Sequence, residues 1–225
     1  MNTAYKVPDL PLFDERLFSS SSGGNEWRVR FEEEIKRSRF ITTLARADSR
    51  ERALRFVERI REEFPDARHH CWAYAVGKPG DTAQVGQSDD GEPHGTAGRP
   101  MLAQLLYGGV GELVAVTTRY FGGIKLGTGG LTRAYQNGVK RALALLPVTE
   151  KQVFVRAIAE VDYAHVDRFH RLLPRFQARV IEEDFGSRGL FTLELPESFL
   201  EPCGVALREA TDGATELLPL EGEDA

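Results

Sequence analysis

The chain of 225 residues has only two cysteines, Cys71 and Cys203. They stand far apart with no Cys-x-x-Cys pair, which excludes a disulfide scaffold or a zinc ribbon and fits a reducing cytoplasm. No apolar run approaches the roughly 20 residues that a membrane-spanning helix needs, so a soluble protein with no membrane partner is expected. The stretch Met1 to Phe18 mixes charges with prolines. It lacks the basic start, apolar middle and cleavage-type ending of a secretory signal. Several catalytic signatures are missing too: there is no Gly-x-Ser-x-Gly elbow, no His-Glu-x-x-His pair and no EF-hand spacing.

Acidic side chains are absent from Leu113 to Thr149, although the formal net charge of the chain is -5. Arg119, Lys125, Arg133, Lys140 and Arg141 all fall in that segment. The overall balance argues against a protein that coats nucleic acid, whereas the local one leaves a specific contact open.

The length exceeds the roughly 100 to 200 residues of a usual single domain and predicts two. Met1 to Asn25, with its serine-glycine run, reads as a flexible or loosely docked leader. From residue 26 the hydrophobic pattern begins. Trp27, Val29 and Phe31 alternate with arginines as in a half-buried strand, and Phe40 to Ala45 reads as a second. Asp48 to Glu51 has capping-box spacing, with the Asp48 carboxylate as the cap of a helix that runs to Pro65. His69 to Gly77 and Thr82 to Gln87 read as strands joined by the turn Lys78 to Asp81. A helix opens at Thr96 or Gly98, with Pro100 in its first turn, and closes at Gly108-Gly109. Leu113 to Thr118 is an apolar run of strand length, and Leu131, Ala134, Tyr135, Val139, Ala142 and Leu146 mark a helix. The first domain closes near Val148. From Gln152 to Leu220 the order is βαββαβ, the ferredoxin-like pattern, with Pro174 and Pro202 as blemishes in its two helices. The predicted fold class is therefore α+β in two domains.

Glycines crowd the junction after the strand at Leu113. Gly122, Gly123, Gly127, Gly129 and Gly130 lie between that strand and the next helix, an arrangement that aims free backbone N–H groups and a helix dipole at one point. Lys125 adds a point charge there, and Arg119 and Arg133 add forked donors suited to phosphate. The competing reading is a tight turn with close packing and with Arg119 paired to a carboxylate. Neither a P-loop nor a Rossmann loop matches, because Thr128 and Gly129 follow Gly127 where Lys and Ser/Thr belong, and Thr132 replaces the last glycine.

A second motif, Ser88 to Gly98, holds Asp89, Asp90, Glu92 and His94. These are candidate acid-base groups, or turn and helix-start carboxylates with a salt bridge to Arg119. His69, His70 and Cys71 are consecutive on a strand, so they alternate faces and cannot jointly ligate one ion. His165 and His170 read as surface or boundary residues.

The segments "KRSRFI", "ARHHCWAYAVG", "SDDGEPHGTAGRPML" and "RYFGGIKLGTGGLTRAY", in this order and spacing, resemble the YigZ/IMPACT family. The resemblance implies an amino-terminal left-handed βαβ fold like domain IV of elongation factor G and a carboxy-terminal domain like its domain V. It also implies kinship with eukaryotic translational regulators, whose extra accessory domain is absent here. By motif match it carries over Arg39, Phe40, His69, Asp89 to Pro93, Gly95 to Gly98, Arg119 to Gly123, Lys125 to Gly127, Gly129 to Leu131 and Arg133 to Tyr135. The proline-dipeptidase label borne by some members is discounted, since the spaced Asp, His and Glu ligands of a two-metal peptidase are lacking.

The expected function is a non-enzymatic cytoplasmic protein of translation-regulator type. It would bind RNA or a ribosomal surface through Arg119, Tyr120, Phe121, Gly122, Gly123, Lys125, Gly127, Gly129, Gly130 and Arg133. Arg39, His69, Asp89, Asp90, Glu92 and Thr96 form the second motif. No metal and no cofactor is expected. An enzyme acting on a small phosphorylated or anionic metabolite, or a module that binds a regulatory protein, stands as the alternative.

Overall fold

In a computed structural model the described residues are 4–14 and 27–220. They form two compact units, one of Tyr5–Glu150 and one that begins at Lys151. Among the described residues no helix is long and apolar enough to cross a membrane.

The first unit opens with β1 (Ala4–Pro8), followed by the hairpin β2 (Arg28–Ile35) and β3 (Ser38–Arg46). Lys36 and Arg37 turn that hairpin with φ of 48° and 63°, the left-handed pair that matches the twist of the strands it joins. The helix α1 (Arg50–Glu63) then crosses to β4 (His69–Ala75), which pairs with β5 (Val85–Ser88). Next come α2 (Gly98–Tyr107), β6 (Leu113–Tyr120), α3 (Thr128–Ala144) and β7 (Val148–Gln152). The five-stranded sheet runs in the order β2-β3-β6-β4-β5 with antiparallel neighbours, so β3 and β4 lie parallel on either side of β6.

That position explains the unbroken apolar run of β6. Val114 and Val116 face α1 through Phe56, Val57 and Ile60, while Leu113 and Ala115 face α2 and α3 through Met101, Leu105, Leu131 and Tyr135. A strand covered on both faces has no polar side to show.

Three expectations are corrected here. The cap of α1 is Ser49, whose hydroxyl accepts from the Arg52 amide at 3.3 Å. Asp48 instead forms an ion pair with Arg52, because Ser49, at φ -142° and ψ 156°, is the last extended residue before the helix. The helix α3 begins at Thr128 and not at Leu131, so Gly129 and Gly130 lie inside its first turn.

The leader is also corrected, for the part that is described. Residues 4–14 are docked: β1 pairs with β7, Tyr5 donates to Glu112 at 2.9 Å, and Phe13 is 1 % exposed against Trp27 and Phe56. Val7 and Phe13 supply the burial that the serine-glycine run lacks. Residues 15–25 of the expected leader lie outside the described residues.

The second unit consists of β8 (Phe154–Val161), α4 (Val166–Leu172), β9 (Arg179–Phe185), β10 (Gly189–Pro196), α5 (Leu200–Ala210) and β11 (Leu217–Pro219). Its sheet order, β11-β8-β10-β9, is that of the ferredoxin-like fold. Alternate residues Ala157, Ala159 and Val161 of β8 and Phe191, Leu193 and Leu195 of β10 meet Phe169 of α4 and Cys203 and Leu207 of α5. Pro174 falls in a 3-10 turn just past α4, and Pro202 in the first turn of α5, where a missing amide proton costs least.

Candidate functional site

The sheet delivers Arg119 and Tyr120 at the end of β6, and the chain then loops from Phe121 to Gly127 before α3 begins. Gly127 caps the helix at φ 74° and ψ 165°, a conformation open to glycine alone, and no side chain caps the turn. The first bond of the helix runs from the Leu131 amide to the Gly127 carbonyl at 2.9 Å. Among the described residues the amides of Thr128, Gly129 and Gly130 therefore find no acceptor.

Of the three, Thr128 borders a cleft of about 530 Å³, which is lined further by Phe121 and Lys125 to Gly127 of the loop, by Arg68 and His69 at the start of β4, and by Gly91 to Pro93 of the second motif; Gly129 and Gly130 follow in the same helical turn but do not line it. Exposed Lys125 and Arg68 bring positive charge to its rim, and Phe121, 45 % exposed, with Leu126 and Leu131, brings apolar surface.

Arg119 also borders the cleft but is not a free cation. It is 5 % exposed, and its Nη1 donates to Glu92 Oε1 at 2.5 Å, the same oxygen that accepts from the Tyr135 hydroxyl at 2.9 Å. Phe40 and Phe121 lie against its guanidinium, with ring centroids at 5.3 and 5.6 Å. The Cys71 thiol lies 3.3 Å from the Tyr135 hydroxyl, and burial pushes both of those groups up in pKa, so both stay protonated. The Glu92–Arg119 bridge is thus the structural branch of the expectation for Arg119, and the charge left to meet an anion is that of Lys125 and Arg68.

The rest of the second motif holds the loop in place. Asp89 accepts from the amides of Gly95, Ala97 and Gly98 at 2.7, 3.0 and 2.9 Å, which satisfies the start of α2. Burial alone would raise the Asp89 carboxyl, but these three donors outweigh it and hold the group below the ordinary carboxylate range. Asp90 bridges Arg61 at 3.0 Å and the His70 amide at 2.6 Å. Thr96 donates to the Pro93 carbonyl at 2.7 Å. His69 lines the cleft with Nδ1 on the Asp90 carbonyl at 2.8 Å, which makes that nitrogen the donor.

Other expected site residues are placed elsewhere. Arg39 pairs with Glu32 at 2.5 Å and Tyr120 with Asp66 at 2.9 Å, and neither borders the cleft. Arg133 is exposed further along α3, also away from it. Conversely, Arg68 and Thr128 border the cleft and are absent both from the expected site and from the residues that the resemblance carries over. Arg68 directly precedes a motif residue on a strand and is within reach of the same reading. Only the fold could bring it to the same cleft as Lys125.

The glycines divide by cause. A Cβ on Gly122 would lie 1.9 Å from the Arg37 carbonyl oxygen, so the β2–β3 turn is what comes close to the backbone there. Gly129 has nothing within 4 Å of such a Cβ and no left-handed φ. The fold does not require glycine at that position, and what it leaves uncovered is amide.

His70 ties the edge of the sheet to α1, its Nε2 lying 3.1 Å from the Phe64 carbonyl. Burial holds its pKa below the ordinary 6.5. The unfolded chain therefore takes up a proton at a higher pH than the folded one, and stability is lost as pH falls below about 6.5, by up to about 1.4 kcal/mol per unit. Denaturant unfolding between pH 7.5 and 5.5 should show this slope, and His70→Gln should flatten it. An equal slope in both proteins would show that His70 is not its source.

Fold and site together define a class: a two-domain α+β protein whose first domain presents an uncapped, glycine-opened helix start on a cleft with a basic rim, and whose second is ferredoxin-like. Residues 36–143 match the family model of the Impact N-terminal domain, and residues 159–214 match a domain of unknown function, DUF1949. The chain is similar to the IMPACT family member YigZ of Escherichia coli (strain K12), with 46 % identity over 189 residues that cover 84 % of this chain and 93 % of that protein. It is likewise similar to the IMPACT family member YvyE of Bacillus subtilis (strain 168), 35 % identical over 183 residues, covering 81 % and 83 %. A crystal structure of a hypothetical protein, 40 % identical, covers 99 % of this chain and 100 % of that one with a TM-score of 0.67. The chain belongs to the IMPACT family.

Proposed function

We propose that this protein binds RNA, free or on a ribosomal surface, through the cleft at the start of α3, and that it acts by binding and not by catalysis. Family membership supports a role of translation-regulator type in general. The observation that carries the finer reading is the uncapped first turn of α3, where the amides of Thr128, Gly129 and Gly130 lack partners and Thr128 opens onto a cleft edged by Lys125 and Arg68. Backbone donors at the positive end of a 17-residue helix suit phosphate oxygens. The carboxylates nearest the cleft favour binding over acid-base chemistry, since Asp89, Asp90 and Glu92 are all engaged by internal partners. The second unit is a poor candidate for the contact, because β9 exposes Glu182, Glu183 and Asp184.

Binding to a single-stranded RNA followed across a salt series tests this. Affinity should fall steeply with salt, and the double variant Arg68→Ala/Lys125→Ala should lower the slope of log K against log salt by about 1.4, at roughly 0.7 for each phosphate that is no longer neutralised. Gly129→Ala should weaken binding about tenfold by screening the amides. The same change should leave folding intact or raise stability by about 0.5–1 kcal/mol, because alanine favours helix over glycine. If no RNA or ribosome binds at low salt, or if binding in the double variant equals that of the parent protein, the proposal is wrong.

A further inference from the structure

We infer that the cleft receives one unpaired nucleotide of an RNA strand, its phosphate on the first turn of α3 and its base against the ring of Phe121. This deepens the RNA reading and rests on it.

The lining combines two chemistries. Uncapped amides and Lys125 suit a phosphate, whereas Phe121, Leu126, Leu131 and Pro93 give walls that a bare anion would not use. A nucleotide has both parts. The volume, about 530 Å³, lies in the range of roughly 300–1,000 Å³ that holds one small molecule. In a duplex the bases face each other inside the stack, so a base can enter a concavity of this size only from a single strand, a loop or an end.

Phe121 is built as a platform. It is 45 % exposed, yet it is not loose, because Arg119 lies against it with Cζ 5.6 Å from the ring centroid. Arg119 is in turn fixed by Glu92 at 2.5 Å and by the Phe40 ring at 5.3 Å. A ring held in place by a buried network loses little freedom when a base stacks on its open side, and a cation behind it strengthens the contact. Arg119 is 5 % exposed and borders the cleft, so its charge lies directly behind the ring.

The test is fluorescence anisotropy of the full chain with a labelled 12-nucleotide single-stranded RNA and with the same sequence as a perfect duplex. Adenosine 5′-monophosphate and inorganic phosphate serve as competitors. Single strand is expected to bind at least tenfold more tightly than duplex, and the mononucleotide to compete better than phosphate. Phe121→Leu should weaken single-strand binding about tenfold, while Phe121→Trp retains it, since stacking needs an aromatic face and not apolar bulk. Both variants should melt like the parent protein because the side chain is nearly half exposed. Equal affinity for duplex and single strand, or an unchanged Phe121→Leu, overturns the nucleotide pocket while RNA binding stands. Failure to bind either RNA overturns the RNA reading as well.

Discussion

Glu92→Ala is expected to remove about 3–5 kcal/mol of folding free energy from the first unit, the usual cost of taking one partner from a buried ion pair. Glu92 is 9 % exposed and Arg119 5 % exposed, and one carboxylate oxygen accepts from both Arg119 and Tyr135. Without it the Ser38 hydroxyl at 3.4 Å is the one hydrogen-bond partner left to the guanidinium among the described residues, and the Tyr135 hydroxyl is left with the Cys71 thiol. A buried donor without an acceptor costs more than the bond itself was worth. Glu92→Gln should fall between, since it gives Tyr135 an acceptor but leaves Arg119 unneutralised. The double variant Glu92→Leu/Arg119→Met should recover much of the loss, because an apolar pair removes both desolvation costs. Urea unfolding followed by tryptophan emission reads this unit alone, as both tryptophans, Trp27 and Trp72, belong to it. A loss below about 1 kcal/mol for Glu92→Ala would place the pair among surface bridges and contradict its role as a buried brace beside the cleft.

Gly122→Ala is expected to be comparably severe, at about 3 kcal/mol or more, for a different reason. The new Cβ would meet the Arg37 carbonyl carbon at 2.0 Å and the Ser38 nitrogen at 2.5 Å. Those atoms are backbone, so no side-chain rotation relieves the clash and the loop must lift off the β2–β3 turn. Lifting also breaks the Gly122 amide bond to the Ser38 hydroxyl at 3.2 Å and moves Arg119, which shares that hydroxyl. Gly122→Ala should thus lose stability and RNA binding together, whereas Gly129→Ala, further along the same loop and helix start, should lose binding alone. Should Gly122→Ala unfold at the same urea concentration as the parent protein, the close approach of the two backbones is not what requires glycine there.

The contrast between these two glycines shows how far a linear reading of the loop reaches. Glycine density announces that backbone must come close to something, but the partner differs from residue to residue: the chain itself at Gly122, open space at Gly129. The same holds for the cations. Arg119 and Lys125 look alike in an acid-free segment, yet Arg119 is neutralised by Glu92, which lies 27 residues away in sequence, while Lys125 remains at the rim. Arg133 and Arg39 share the motif pattern of the site and stand outside the cleft. The carboxylates of the second motif could be read as a reactive cluster or as a brace, and the amides of Gly95, Ala97 and Gly98 around Asp89 make it a brace.

Local patterns were enough to lay out the elements of both units apart from β1 and β7, their α+β class, the βαββαβ order of the second and the family resemblance, because strand and helix periodicity and glycine or proline punctuation act over a few residues. They missed the docking of residues 4–14, whose partners Pro147, Glu112 and Arg46 are distant in the chain. Which charges are free, which glycines are needed for packing and where the cleft opens were decided only in three dimensions. Each of these depends on the burial and pairing of groups that sequence separates and the sheet brings together, and desolvation, which sets the cost of an unpaired charge, has no meaning until the surroundings of that charge exist.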